Sequence, residues 1–227
     1  MENELENKII VVTGASRGIG RATADLLRSR GAAVIGTSRK GNFSTPDLTP
    51  LDVGVPESVA QFFDWLDRTY DRLDVLVNNA GVAFFKPIVD TSLEEWNSML
   101  QTNLTGAFLC AKEAMRRMKR TGGGRIINIG SVADRVALPH NAAYSASKFG
   151  LRILSQILTE EGKVDSIFST LLSVGAVRTD LWKNAVAFQH RTMLQPLDVA
   201  ESILHIVRQP PHVRVDEVQL MPPSGLL

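Results

Sequence analysis

The sequence has one cysteine, Cys110, among 227 residues. One cysteine forms no disulfide within the chain, which excludes the disulfide-framed class of small secreted domains and suits a reducing compartment. A chain of this length buries about 70% of its unfolded surface, and 44% of its residues are hydrophobic, so a core forms without covalent cross-links. We therefore expect a compact cytoplasmic protein.

The chain also lacks an excess of charge of one sign, long apolar runs and metal-ligand spacing. Its 25 basic and 24 acidic residues give a formal net charge of +1, which is not the footprint of a nucleic-acid-binding protein. No apolar run reaches the roughly 18–20 residues that a membrane helix needs, and three glutamates among the first eight residues are unlike a signal or transit peptide. The four histidines lack the spacing of a zinc site. We expect no nucleic acid, no membrane partner and no metal.

Short apolar runs alternate with amphipathic stretches along the whole chain. Strands are predicted at 8–13, 32–37, 73–78, 125–129, 167–174 and 213–220, and helices at 21–30, 55–70, 93–118, 141–160 and 197–208. The helix over 93–118 is expected to bend near Gly106. Strands that alternate with helices predict right-handed crossovers and a parallel sheet covered on both faces. No repeat or linker interrupts the pattern, so the fold class is α/β, a doubly wound single domain over residues 1–227.

A glycine-rich turn follows the first predicted strand and precedes the first helix. It reads TGASRGIG from Thr13 to Gly20, a G-x-x-x-G-x-G pattern. Glycines permit a tight turn and close backbone approach, and free N–H groups at a helix start attract a pyrophosphate. The turn predicts a dinucleotide site, with an ordinary βα turn as the alternative. Its candidate binding residues are Gly14, Ser16, Arg17, Gly18, Ile19 and Gly20.

The end of the second predicted strand carries no carboxylate for the ribose 2′-hydroxyl of NAD. Ser38 and Arg39 stand there instead, and a planar guanidinium suits a 2′-phosphate. Arg17, inside the glycine turn, is placed to reach the same phosphate. We therefore expect NADP(H) to be preferred over NAD(H); the alternative is that both arginines are solvated surface residues.

A serine, a tyrosine and a lysine follow the strand predicted at 125–129. Ser131 comes directly after that strand, and Tyr144 and Lys148, four residues apart, share one helical face. A lysine ammonium favours the tyrosinate and lowers the tyrosine pKa, while a serine hydroxyl can hydrogen-bond a carbonyl oxygen that gains charge. With a nicotinamide cofactor, these groups fit carbonyl reduction or alcohol oxidation.

The motifs, taken in order, resemble those of the short-chain dehydrogenases/reductases, NADP-preferring type, over nearly the whole chain. The matching stretches are the Thr13–Gly20 turn, Leu51-Asp52-Val53, Asn78-Asn79-Ala80-Gly81, Asn103-Leu104-x-Gly106, Ser131, Tyr144-x-x-x-Lys148 and Val174-Gly175-x-Val177-x-Thr179. The resemblance implies a Rossmann-type fold. It also implies a homo-oligomer, a dimer or tetramer, formed by the long helices over 93–118 and 141–160.

The same resemblance implies roles for individual residues. Tyr144 is the general acid in reduction and the base in oxidation, and Ser131 positions the substrate oxygen. Lys148 also holds the nicotinamide ribose, and Asn103 lies at a break in the long helix, where it holds a water that relays protons to Lys148. The other implied cofactor contacts are Asp52 and Val53 at the adenine, Asn79, Ala80 and Gly81 along the adenosine ribose, and Val177 and Thr179 at the carboxamide and phosphates.

Two segments depart from the family pattern. Between Arg39 and Asp52 the usual helix is reduced to a loop, so one outer face of the sheet is expected to be barer. The short segment 180–195, with Leu181, Trp182, Val186, Phe188 and Met193, is either a lid over an apolar substrate or a helix packed on the core.

The function expected is NADP(H)-dependent reduction of a ketone or aldehyde, or oxidation of a secondary alcohol, as in a carbonyl reductase. One alternative is 3-oxoacyl-[acyl-carrier-protein] reductase, although residues 213–223 resemble the tails of carbonyl reductases. A non-enzyme alternative is an NADP(H)-sensing regulatory protein; the retained Asn103, Ser131, Tyr144 and Lys148 argue against it, because a sensor need not keep all four.

Overall fold

A computed structural model describes residues 4–180 and 193–225. Within these residues the strands are β1 (Ile9–Val12), β2 (Ala33–Ser38), β3 (Thr49–Pro50), β4 (Val75–Asn78), β5 (Gly124–Ile129), β6 (Ile167–Val174) and β7 (Glu217–Leu220). The α-helices are α1 (Gly18–Ser29), α2 (Pro56–Thr69), α3 (Leu93–Leu100), α4 (Gly106–Thr121), α5 (Ala142–Gly162) and α6 (Pro196–Val207).

The strands form one parallel sheet in the order β3-β2-β1-β4-β5-β6-β7. The order reverses between β1 and β4, and such a switch point opens a crevice at the carboxyl ends of the strands. The predicted α/β doubly wound fold of a single Rossmann-type domain is therefore confirmed.

Alternate residues of the inner strands feed two cores, one on each face of the sheet. Ile10 and Val12 belong to the core beneath α1 and α6, whereas Val11 lies in the core beneath α2 and α4. In the second core, Phe62 and Phe63 of α2 are almost fully buried, and each contributes roughly 1.5–3 kcal/mol by leaving water. Burial on both faces explains why the central strands read as continuous apolar runs.

The long helix predicted at 93–118 is two helices joined by a π-helical turn, Gln101–Thr105. The interruption lies just before Gly106, where a bend was expected. A Cβ on Gly106 would lie 2.7 Å from Cγ2 of Val53, so only glycine lets α4 start this close to the segment after β3. The π turn is local and leaves the apolar period on either side unchanged, which is why the pattern reads as one helix.

The segment between Arg39 and Asp52 is a loop that ends in the two-residue strand β3, which the sequence did not predict. The expectation of a barer face there is wrong. The Phe43 ring centroid lies 5.7 Å from that of Trp65 on α2, and Asp47 pairs with Arg28 of α1 at 2.9 Å. The loop therefore covers the edge of the sheet with its own aromatic and charged contacts.

The last strand, β7, is shorter than the predicted 213–220. Arg125 Nη2 donates to the carbonyl of Val213 at 2.9 Å, and the Thr170 hydroxyl donates to the carbonyl of Val215. Side chains thus occupy backbone groups that ladder pairing would need. None of the helices in residues 4–180 and 193–225 is long and apolar enough to cross a membrane.

Candidate active site

One elongated cavity of about 560 Å³ opens at the carboxyl edge of the sheet. It runs from the glycine turn after β1 to the start of α5. Every predicted site residue lines this cavity except Gly20 and Asn103. Residues distant in sequence are therefore brought together at the switch point of the sheet.

The glycine turn has the backbone geometry that a phosphate cradle needs. Gly14 has φ 66° and Gly18 φ 58°, conformations that favour glycine. A Cβ on Gly20 would lie 2.4 Å from Nδ2 of Asn79, an amide that itself donates to the carbonyl of Gly14 at 3.1 Å. Gly20 therefore serves the packing of the turn and not its lining.

The first turn of α1 leaves its N–H groups open to a ligand. Its N-cap residue, Arg17, makes no side-chain cap, and the helix start carries a partial positive charge. Thr179 lies across the turn, with its Cγ2 3.3 Å from the position that a Cβ on Gly18 would take. The glycine turn, the open N-terminus of α1 and Thr179 together fit a pyrophosphate.

Two arginines line the adenosine end of the cavity in different states. Arg39 is exposed and makes no ion pair or hydrogen bond with the rest of the described chain. Arg17 pairs with Asp180 at 3.3 Å, with 74% of its side chain exposed. The guanidinium of Arg39 is thus open to a 2′-phosphate, whereas that of Arg17 must first break its ion pair with Asp180. Ser38, Asp52 and Val53 also line this end, and Asp52 Oδ1 accepts the N–H of Gly54 at 3.0 Å.

The other end of the cavity holds the three residues predicted to carry the chemistry. Ser131 begins the turn after β5, and Tyr144 and Lys148 lie in the first two turns of α5. Lys148 Nζ donates to the carbonyl of Ile129 at 2.7 Å and lies 5.7 Å from the Tyr144 ring centroid. Phe85 meets Tyr144 edge to face, with centroids 6.0 Å apart.

Burial has a larger effect on the pKa values of Tyr144 and Lys148 than their proximity to each other. Burial raises the pKa of Tyr144, a hydrogen bond from Ser131 lowers it, and the charge of Asp134 raises it. Burial also lowers the pKa of Lys148 to about 8, against a raising effect of Asp134. The expectation that Lys148 lowers the Tyr144 pKa is wrong: the pKa is raised, with burial as its largest cause. Tyr144 therefore keeps its proton at neutral pH.

Asn103 lies in the π turn, below the floor of the cavity. Its Nδ2 donates to the carbonyl of Val82 at 2.9 Å and to Oγ of Ser147 at 3.1 Å, and its Oδ1 accepts the N–H of Val82 at 2.9 Å. The side chain is 2% exposed. It therefore ties the loop after β4 to α5, beside the helix face that carries Tyr144 and Lys148.

Two residues near the site were not identified from the sequence. Phe85 was signalled only by its place in the loop after the Asn79–Gly81 stretch. Asp134 was signalled by an acidic residue three positions after Ser131, directly behind the apolar pair Val132-Ala133. Of the segment 180–195, Met193 is buried, and Leu181, Trp182, Val186 and Phe188 fall outside the described residues, so the choice between lid and core helix stays open.

Comparison with known proteins gives the family. The family described as short chain dehydrogenase matches residues 8–190. An uncharacterised oxidoreductase of Staphylococcus aureus strain MRSA252 is 33% identical over 228 residues, covering 96% of this chain and 98% of the relative.

Two solved structures share the fold over nearly the full length. An alcohol dehydrogenase from the archaeon Thermococcus sibiricus, complexed with 5-hydroxy-NADP, superposes with a TM-score of 0.87 at 29% identity, covering 97% of this chain and 98% of the other. A metagenomic short-chain oxidoreductase in complex with NADP gives 0.83 at 30% identity, with 97% and 99% covered. The chain belongs to the short-chain dehydrogenases and is a nicotinamide-dependent oxidoreductase.

Proposed function

We propose that the protein reduces a ketone or aldehyde with NADPH, or oxidises a secondary alcohol with NADP⁺, with Tyr144 as the general acid or base. The observation that carries this proposal is the convergence on one cavity of Ser131, Tyr144 and Lys148, which lies one helical turn along α5 from Tyr144. They stand at one end of a cavity whose other end is the phosphate-binding turn.

When bound, the nicotinamide cofactor supplies or accepts the hydride. Tyr144 donates its proton to the carbonyl oxygen in reduction, and Ser131 donates a hydrogen bond to the same oxygen as negative charge builds there. Lys148 stabilises the tyrosinate that is left. Burial raises the pKa of Tyr144, so the residue carries at neutral pH the proton that reduction requires.

Selection of NADP(H) over NAD(H) rests on the open guanidinium of Arg39. The two NADP complexes among the similar structures support it. A charged hydrogen bond contributes about 1.5–3 kcal/mol, which corresponds to a preference of roughly tenfold to a hundredfold from Arg39 alone. Arg17 adds to this only after it leaves Asp180.

The substrate end of the cavity favours an uncharged carbonyl compound. Apolar side chains of Phe85, Val132, Leu138 and Met221 line it. Apolar walls with a few convergent hydroxyls are the usual design for a small neutral ligand. A ketone or aldehyde with an apolar substituent is therefore the substrate class, as in carbonyl reductases. The single cysteine, which is buried, supports a cytoplasmic location. The exposed apolar side chains of Phe149, Ile153 and Ile157 on α5 support a homo-oligomer, a dimer or tetramer.

The test measures NADPH and NADH oxidation against a panel of ketones, aldehydes and a 3-oxoacyl thioester. We expect turnover with NADPH on apolar ketones or aldehydes and its loss in Tyr144→Phe, which keeps the ring and removes the proton donor. Turnover confined to the thioester would replace the proposal by acyl-carrier-protein reduction. Tight NADPH binding without turnover on any substrate would favour a sensing role.

A further inference from the structure

A buried carboxylate stands behind the catalytic serine, in the same turn. Asp134 is 0% exposed and lies three residues after Ser131, whose carbonyl accepts the Asp134 N–H at 2.8 Å. A Cβ on Gly130 would lie 2.9 Å from Asp134 Oδ2. The carboxylate therefore lies directly against the stretch that leads from β5 to Ser131.

Donors from three elements converge on this carboxylate. The Ser173 hydroxyl of β6 donates to Oδ2 at 2.8 Å. Arg152 Nη2 of α5 and Arg135 Nε donate to Oδ1, each at 3.2 Å. A buried charge is costly unless such partners hold it, so this arrangement fixes the turn against both the sheet and α5.

Arg152 continues the row that carries the chemistry. Tyr144, Lys148 and Arg152 are spaced by four residues on α5, so they lie on one face of the helix. The first two face the cavity, and the third faces Asp134. The pair of Asp134 with Arg152 therefore sets the position of α5 relative to the Ser131 turn.

Glu217 on β7 holds the two arginines that contact Asp134. Glu217 accepts hydrogen bonds from Arg152 at 2.7 and 2.8 Å and one from Arg135. The charged groups joined to Asp134, directly or through one another, are thus Arg135 from the turn, Arg152 from α5 and Glu217 from β7. Asp134 is the fully buried one of the four.

We propose that Asp134 is a positioning residue of the active site, which holds the Ser131 turn on α5 and sets the electrostatic potential at Tyr144 and Lys148. It touches neither the cavity nor a substrate and acts through the residues that do. The proposal rests on the proposed function only for its kinetic consequence. Burial is the largest cause of the raised pKa of Tyr144 and of the lowered pKa of Lys148, and the charge of Asp134 acts to raise both.

The test follows the ionisation of Tyr144 directly, without turnover. The chain has two tyrosines, so in a Tyr70→Phe background the near-ultraviolet absorbance of tyrosinate reports Tyr144 alone. Asp134→Asn keeps the shape and removes the charge. We expect it to lower the Tyr144 pKa by about half a unit or more, because a negative charge that disfavours the tyrosinate is gone. Thermal unfolding verifies that the variant is folded.

Two further variants separate charge from packing. Ser173→Ala removes one hydrogen bond to Asp134 and leaves the charge, so the Tyr144 pKa should stay where it is. Arg152→Gln removes the compensating positive charge, so that pKa should rise. An unchanged Tyr144 pKa in folded Asp134→Asn, or equal shifts in Ser173→Ala, would overturn the proposal. If Asp134→Asn does not fold, the upward shift in Arg152→Gln decides.

Kinetics then test the positioning role. In Asp134→Asn we expect kcat for carbonyl reduction to fall by about tenfold or more, since a displaced hydroxyl loses alignment, while the Kd for NADPH, measured by fluorescence, changes little. The alkaline limb of the kcat profile should move to lower pH, because loss of the Asp134 charge lowers the pKa of both Lys148 and Tyr144. If Asp134→Asn lost stability but kept the wild-type pH profile, Asp134 would have only a structural role.

Discussion

Arg39 and Arg17 are both candidates to bind the 2′-phosphate of NADP(H), and their contacts indicate which of them contributes more. Arg39 is open, and Arg17 pairs with Asp180. We expect Arg39→Ala to weaken NADPH binding by about tenfold or more and to leave NADH binding nearly unchanged, because one charged hydrogen bond contributes about 1.5–3 kcal/mol.

Arg17→Ala is the matched control, since it removes a second guanidinium from the same end of the cavity. Its effect on the NADPH to NADH ratio of Kd values, read by cofactor fluorescence, should be smaller. An equal or larger effect for Arg17→Ala would reverse the ranking of the two residues.

Lys148 gives the reaction a pH dependence of defined sign. Burial lowers its pKa to about 8, so its ammonium is present at lower pH and is lost as the pH rises through that value. We expect kcat/KM for NADPH, which reports the free enzyme, to fall above pH 8. Lys148→Arg should remove this inflection, because a guanidinium stays charged. A profile flat to pH 10 in the wild-type enzyme would contradict the assignment.

The π turn and Gly106 make α4 sensitive to a change that usually stabilises helices. Glycine to alanine within a helix gains up to about 1 kcal/mol. At Gly106 the added methyl meets Val53 at 2.7–3.0 Å, so we expect Gly106→Ala to lower the free energy of unfolding by roughly 1–3 kcal/mol, as overpacking does. Urea unfolding measures it.

A double-mutant cycle with Val53→Ala identifies the cause. Trimming Val53 should restore part of the stability that Gly106→Ala loses, giving a coupling between the two sites. Strictly additive effects would show that the contact with Val53 is not responsible.

Sequence patterns were sufficient for the fold and for placing the cavity-lining residues. The glycine turn, Ser131 and the Tyr144–Lys148 spacing are local signals, and strand order places them together. The π turn at Asn103, the contact of Phe43 with Trp65 and the burial of Asp134 depend on which segments meet in space. The Tyr144 pKa was mispredicted for the same reason, because burial depends on neighbours that spacing does not reveal.

On the scale of the whole molecule, one helix face is apolar and exposed. Phe149, Ile153 and Ile157 follow each other at intervals of four on α5, with exposures of 45%, 53% and 47%, and Phe108 of α4 is 45% exposed. A contiguous exposed patch of this kind marks an interaction surface. We expect it to join copies of this chain.

The experiment is sedimentation of the wild type and Ile153→Glu. The variant should shift to a smaller species, because the charge falls in the centre of the stripe. Val164→Glu alters an apolar residue that is 81% exposed but lies outside the stripe, and should leave the size unchanged. A monomeric wild type at micromolar concentration would refute the expectation.

The short strand β3 makes the two edges of the sheet unequal towards other polypeptides. β3 has two residues, and its second, Pro50, has no N–H to offer. A short edge that ends in proline is a poor template for strand addition. On the opposite side, β7 presents four residues with exposed Glu217 and Gln219. If a misfolded neighbour or a strand-forming peptide extends this sheet, it adds beside β7, so the growth of any aggregate is one-sided.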